Sequence, residues 1–285
     1  MNNPNESTSV IIPWDFSRVA EYALEHALHI ARQLEKEIIL MHVVSKEVTE
    51  EARKQAAERL EKRSEEVFSQ HGIRPRGVIL EGNIFSTISD FATESNALMV
   101  IMGTHGMTSS QKLTGSWALK VIIGSKIPFL VVQEKPGGAE RFSKIVYPVD
   151  FRGECKEILQ WAVYLGKYFN SKVFILRRPF RDSSLLKKTN TNINFAVRFL
   201  RQNNVEYEIE EAPGKANFDK ETLDYSKSVN ADLVLLITSR HFTFLDFIIG
   251  NREQKMIANP YGISIMCINP HATKSGMGQF MYGST

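Results

Sequence analysis

Three glycines, a serine and an aspartate set the chemistry this sequence can do. Gly103-Thr104-His105-Gly106 follows directly on the apolar run Leu98–Met102, and Gly115-Ser116 opens a segment with apolar residues at Leu119, Ile122 and Ile123. Glycines let backbone N–H groups approach phosphate oxygens, and a helix start adds partial positive charge. A second apolar run, Phe129–Val132, follows Pro128. Strand, glycine-rich loop, helix and strand is the order in which α/β folds build an anion site. Asp15 closes another apolar run, Val10–Trp14, and a carboxylate there is stabilised by the helix dipole with or without a ligand. A glycine pair after a strand is a weak signal alone, because tight turns need glycine too; its force comes from the combination with Asp15 and Ser116.

The elements that must position these residues alternate. Val10–Asp15 reads as a strand, and Ser17 as the N-cap of a helix whose apolar stripe is Ala20, Ala23, Leu24, Ala27, Ala31 and Leu34. Ile38–Val44 is a second strand. A charged helix runs from about Glu47 to Gln70, with Ala52, Ala56, Leu60, Val67 and Phe68 facing inward and His71-Gly72 ending it. Gly77–Glu81 is a third strand and Ile84–Ser95 a third helix. Alternation of this kind predicts a parallel sheet covered on both faces.

The chain then repeats itself. Pro148 and Asp150 fall 135 residues after Pro13 and Asp15, Leu233–Ile237 keeps the same offset from the Leu98 run, and Gly250 matches Gly115. An offset held at both ends argues duplication. Residues 1–135 and 141–270 are read as two repeated units joined by the linker Gln133–Phe142, with residues 271–285 a flexible tail.

Composition narrows the function classes. The net charge of +3 gives no case for nucleic-acid binding, and the excess is spread over the second half, which holds 20 Lys and Arg against 15 Asp and Glu. Two cysteines far apart, Cys155 and Cys267, form no disulfide framework and fit a reducing compartment. The first residues lack the pattern of a signal peptide, and no run reaches the length of a membrane span, so the expectation is a cytoplasmic protein with no membrane partner. No Gly-x-Ser-x-Gly elbow, Walker lysine or zinc spacing is present. His26 and His42 read as helix-face and core residues, since no second ligand stands at metal spacing.

Pro13-x-Asp15-Phe16-Ser17, His42-Val43, Met102-Gly103-Thr104-His105-Gly106 and Gly115-Ser116 together resemble the universal stress protein family, as a tandem pair covering nearly the whole chain. The resemblance implies two doubly wound α/β units, each a five-stranded parallel sheet of order 3-2-1-4-5 with helices on both faces, packed as a pseudo-dimer through their final strands. It also implies ATP or a related adenine nucleotide at the carboxyl ends of the first-half strands, beside Pro13 and Met102, with Mg²⁺ accompanying it. By the family match Asp15 contacts the ribose and Val43 backbone groups read the adenine edge. N–H groups around Gly103, His105, Gly106, Gly115 and Ser116 hold the phosphates. The stretch between Gly106 and Gly115 is one residue shorter than in the ATP-binding branch. Trp14 and Trp117 stand where the family has smaller residues, so either indole stacks on the nucleotide or fills its place. The second half reads Thr238-Ser239-Arg240-His241 at the loop and Arg177-Arg178 where His42-Val43 stood, which marks a degenerate copy. Three readings stay open. One is a nucleotide-dependent stress-response module with at most slow ATP hydrolysis. The second is a nucleotide-free module for an unknown protein partner, alone or as a homodimer. The third is an anion sensor built on Arg177, Arg178 and Arg240.

Overall fold

Runs of β-branched and aliphatic residues become strands, and the capped stripes between them become helices. The computed structural model describes residues 7–104, 115–123, 125–137, 142–153, 155–238 and 252–269. The first half comprises β1 (Ser9–Pro13), α1 (Arg18–Leu34), β2 (Glu37–Val44), α2 (Glu50–His71), β3 (Arg76–Glu81), α3 (Ile84–Glu94), β4 (Met99–Gly103), α4 (Gly115–Ile122) and β5 (Phe129–Val132). The second comprises β6 (Lys144–Val149), α5 (Cys155–Phe169), β7 (Lys172–Arg177), α6 (Ser183–Gln202), β8 (Tyr207–Glu211), α7 (Phe218–Ser228), β9 (Leu233–Ile237), α8 (Arg252–Ile257) and β10 (Ser264–Ile268). No helix of the described residues is long and apolar enough to cross a membrane.

The strands form one ten-stranded sheet of order β3-β2-β1-β4-β5-β10-β9-β6-β7-β8. Each half has the expected 3-2-1-4-5 order with parallel pairing. The halves meet where β5 and β10 run antiparallel, in the register Ile265↔Val131, Met266↔Leu130 and Cys267↔Phe129. A strand edge is an unpaired row of hydrogen-bonding groups, and this pairing removes two of them. Register is kept between the copies: Pro13 faces Met41, and Pro148 faces Leu176.

Alternation along the strands divides the core in two. Val10, Ile12 and Trp14 lie on the face covered by α1 and α5, and Ile11 lies on the face covered by α3, α4, α7 and α8. Both layers draw residues from both halves, so the core crosses the seam.

Caps fix the helix boundaries. Ser17 Oγ accepts from Ala20 N–H at 3.3 Å, as the sequence predicts. Thr49 Oγ1 accepts from Ala52 N–H at 3.2 Å and starts α2 at Glu50, three residues after the expected start. Gly72 ends that helix at φ 71°. The inward stripe of α2 is Ala56, Leu60, Ser64 and Val67; Ala52 and Phe68 are exposed, Phe68 at 48%. Phe68 follows Val67 immediately and is carried off the stripe by the 100° helical step. Phe142, expected at the end of a linker, is 2% exposed and packs edge-on to Phe169 at 5.4 Å.

Burial pushes the Cys267 thiol up, far from its ordinary value, so its thiolate is suppressed. In a Cys155→Ser variant, Cys267 is expected to stay unlabelled by a water-soluble disulfide reagent at about pH 8 and to react once denaturant is added. Full labelling of the folded protein would mean that the seam opens.

Candidate functional site

The chain leaves β1 for β2 on one side, and β4 enters on the other, so the carboxyl ends of β1 and β4 diverge at a switch point. The turn after β1 is tightly held. Trp14 N–H donates to Met41 O at 2.7 Å, and Phe16 takes a left-handed conformation at φ 61°. That conformation costs a non-glycine residue about 1 kcal/mol. Two contacts offset it: the His42 ring lies 5.0 Å from the Phe16 ring, and the Arg59 guanidinium lies 3.8 Å over it. His42 Nδ1 also bonds the Trp14 carbonyl at 2.6 Å, which fixes the turn to β2. The turn presents Asp15 at the surface, where its Oδ1 accepts from Ser17 N–H at 3.0 Å.

Beside Asp15 lies a cleft of about 820 Å³ with its open mouth. Met41 and Val43 of β2, Ile84, Phe85 and Ile88 of α3, and Met102 of β4 give it an apolar interior. Asp15, His42 and Thr104 supply polar groups, and Pro13, Gly103, Ala118 and Val121 complete the walls. Gly82 N–H donates to Val44 O at 3.0 Å on the β3 side. Strand alternation therefore turns the Val43 N–H and C=O the other way, past the last β1–β2 pair at Pro13↔Met41. A planar ligand in the apolar slot would find a donor and an acceptor at its edge.

Pro13, Trp14, Asp15, Val43, Met102 and Gly103 are thus brought together. Trp14 lines the cleft, yet its residue is 3% exposed and belongs to the core face under α1. Gly103 has a packing reason to be glycine that is independent of any ligand. A Cβ there would stand 2.0 Å from Val19 O, so the close packing of α1 on β4 requires glycine whatever is bound. Gly115, Ser116 and Trp117 form the first turn of α4, with the side chains of Ser116 and Trp117 outside the described residues. His105 and Gly106 lie wholly outside them. The wall residues Ile84, Phe85 and Ile88 escape sequence reasoning. Their signal was Asn83, whose Oδ1 caps α3 by accepting from Phe85 N–H at 2.9 Å, followed by an Ile84 left 40% exposed.

In the matching region of the second half, the described groups engage one another. Asp150 is 3% exposed, and Arg152 Nε bonds both carboxylate oxygens at 2.8 and 3.1 Å. Asn192 Nδ2 locks that turn through Asp150 O and Arg152 O at 2.8 and 2.9 Å. Arg178, at the Val43 position, donates its N–H to Val149 O at 3.0 Å, and its guanidinium lies over Phe180 and Phe218 at 5.1 and 5.6 Å. Arg177 pairs with Glu211 and donates to Asn190. Two of the three arginines of the anion reading are therefore engaged, and Arg240 lies outside the described residues. The N–H groups of Gly214, Lys215 and Ala216 converge on the buried Glu221 carboxylate at 2.7–3.1 Å, an anion cradle filled from within.

A sequence model of the universal stress protein family matches residues 7–133. A universal stress protein of Methanocaldococcus jannaschii is 30% identical over 146 residues, 47% of this chain and 86% of that protein. One from Synechocystis is 30% identical over 132 residues, 44% of this chain and 84% of that protein. The crystal structure of a universal stress protein from Archaeoglobus fulgidus superposes on 93% of this chain and 99% of its own, at a TM-score of 0.74 and 16% identity, a likeness of fold.

Gly103→Ala is expected to destabilise the protein by about 2 kcal/mol or more, read as a lower denaturant midpoint, because the α1 backbone must shift. An unchanged midpoint would show that α1 yields freely and that packing does not fix this glycine.

Proposed function

The chain belongs to the universal stress protein family, and from that premise we propose that its first half binds ATP or a related adenine nucleotide as a cytoplasmic, nucleotide-dependent regulatory module. The observation that carries this reading is the contrast between the two aspartates. Asp15 is exposed at the mouth of an open apolar cleft, whereas Asp150 is buried under Arg152. The ring system fits the slot between Val43 and Phe85, with the Val43 N–H and C=O at its polar edge. Asp15 accepts from ribose hydroxyls. The phosphates then run toward the start of α4, where N–H groups without intrahelical partners and the helix dipole favour negative charge. Mg²⁺ would arrive with the triphosphate, bound mainly by phosphate and water.

In this reading the second half binds no nucleotide, because Arg152 and Arg178 occupy the places a ligand would need. The open cleft beside an already buried Trp14 supports nucleotide binding over a module in which that indole fills the site.

Calorimetric titration with ATP and Mg²⁺ tests the proposal. One site per chain is expected, and Asp15→Ala is expected to weaken binding by about ten-fold, through loss of a charge-assisted hydrogen bond. Two sites per chain would refute the closed second half. No binding by a folded protein would leave a protein-interaction module in its place.

A further inference from the structure

Helix α4 belongs to the first half, and a residue of the second half bonds its far end. Its first turn carries Gly115 and Ser116; its last carbonyls face the seam. Asn269, the residue after β10, donates through Nδ2 to Ile122 O at 2.6 Å and to Ser125 O at 2.8 Å. Its Oδ1 accepts from Thr238 Oγ1, at the end of β9. Thr238 N–H in turn donates to Ile268 O at 3.0 Å. The carboxamide is thus fixed in orientation, with its donors aimed at the end of α4 and its acceptor at its own half. The arrangement is reciprocal: Gln133, the residue after β5, donates through Nε2 to Ile257 O at 3.0 Å, at the end of α8. Helices α4 and α8 also pack on each other across the seam.

A short helix ends in carbonyls without intrahelical partners, and a donor placed there both satisfies them and favours the dipole. At α4, Ser125 N–H donates to Ile122 O at 3.1 Å, and the second donor to that carbonyl comes from a residue 147 positions away, in the other half. We propose that Asn269 is a positioning residue for the phosphate end of the first-half site: the second half caps α4 and thereby sets the direction and depth of its N-terminus. The inference rests on the nucleotide reading above and gives the degenerate copy a role in it. Because the start of α4 faces the phosphates, whereas α4 gives the apolar slot only the walls Ala118 and Val121, the cap bears far more on triphosphate affinity than on adenosine affinity.

The test compares ATP and adenosine binding, by calorimetry on the full chain, for the parent, Asn269→Asp and Gln133→Leu. Asn269→Asp keeps the acceptor for Thr238 but replaces the donors with negative charge at the negative end of α4. It is expected to weaken ATP by about five-fold or more, with adenosine changed by less than about two-fold. Gln133→Leu, which uncaps α8 instead, is expected to change neither. Equal weakening of ATP and adenosine, or an unchanged ATP affinity, would overturn the inference and make Asn269 a general brace of the seam. A parent chain that binds neither ligand would instead overturn the nucleotide reading itself, and this inference with it. If Asn269→Asp loses its cooperative unfolding transition, Asn269→Ser, which keeps one donor, carries the same comparison with the same two outcomes.

Discussion

The antiparallel pairing of β5 with β10 is the constraint on which the rest of the molecule depends. Phe129, Leu130 and Val131 face Ile265, Met266 and Cys267, all of them buried. Without that pairing each half would expose a row of backbone donors and acceptors beside an apolar strand. With it the sheet becomes continuous, and the helices next to the seam are brought together. α1 meets α5 on one face and α4 meets α8 on the other. The hydrophobic layers therefore belong to the whole chain, and the end of α4 comes within reach of a side chain from the other copy.

One backbone plan has two outcomes, and a few side chains decide between them. The first half keeps Val43 where the second has Arg178, and presents Asp15 to solvent where the second encloses Asp150. A buried carboxylate is costly unless paired and hydrogen-bonded, and Asp150 has Arg152 as its ion-pair partner. An exposed carboxylate needs no such partner and remains available to a ligand. The Glu221 carboxylate in its cradle of three N–H groups repeats the theme, with an internal anion where an external one would otherwise go.

Much of this was legible in the residues. Pro13 and Asp15 recurring as Pro148 and Asp150 foretold the duplication, and the common register Pro13↔Met41 and Pro148↔Leu176 is its structural counterpart. The Ser17 cap and the Gly72 terminus were readable because capping is a local exchange between a side chain and its own backbone. Phe68 departs from its expected inward face, whereas Phe142 lies in the connection as expected but is buried. One is a single helical step off its stripe, and the other is drawn into the core by Phe169, a partner in another element. At Gly103 the structure adds a requirement that the sequence does not show, since Val19, on α1, excludes a side chain there.

The sequence by itself determined the alternation of strands and helices, the doubling of the unit and the residues at the carboxyl ends of the strands. Periodicity, caps and turns act over a few residues and leave a local trace. Only the tertiary structure decided that α3 walls the slot with Ile84, Phe85 and Ile88, that Arg152 pairs with Asp150 while Arg178 lies over Phe180 and Phe218, and that Asn269 reaches the end of α4. Those outcomes rest on groups brought together by crossovers and by the seam. A hydrogen bond between residues 147 positions apart has no pattern in the chain, because its geometry exists only once both partners are folded.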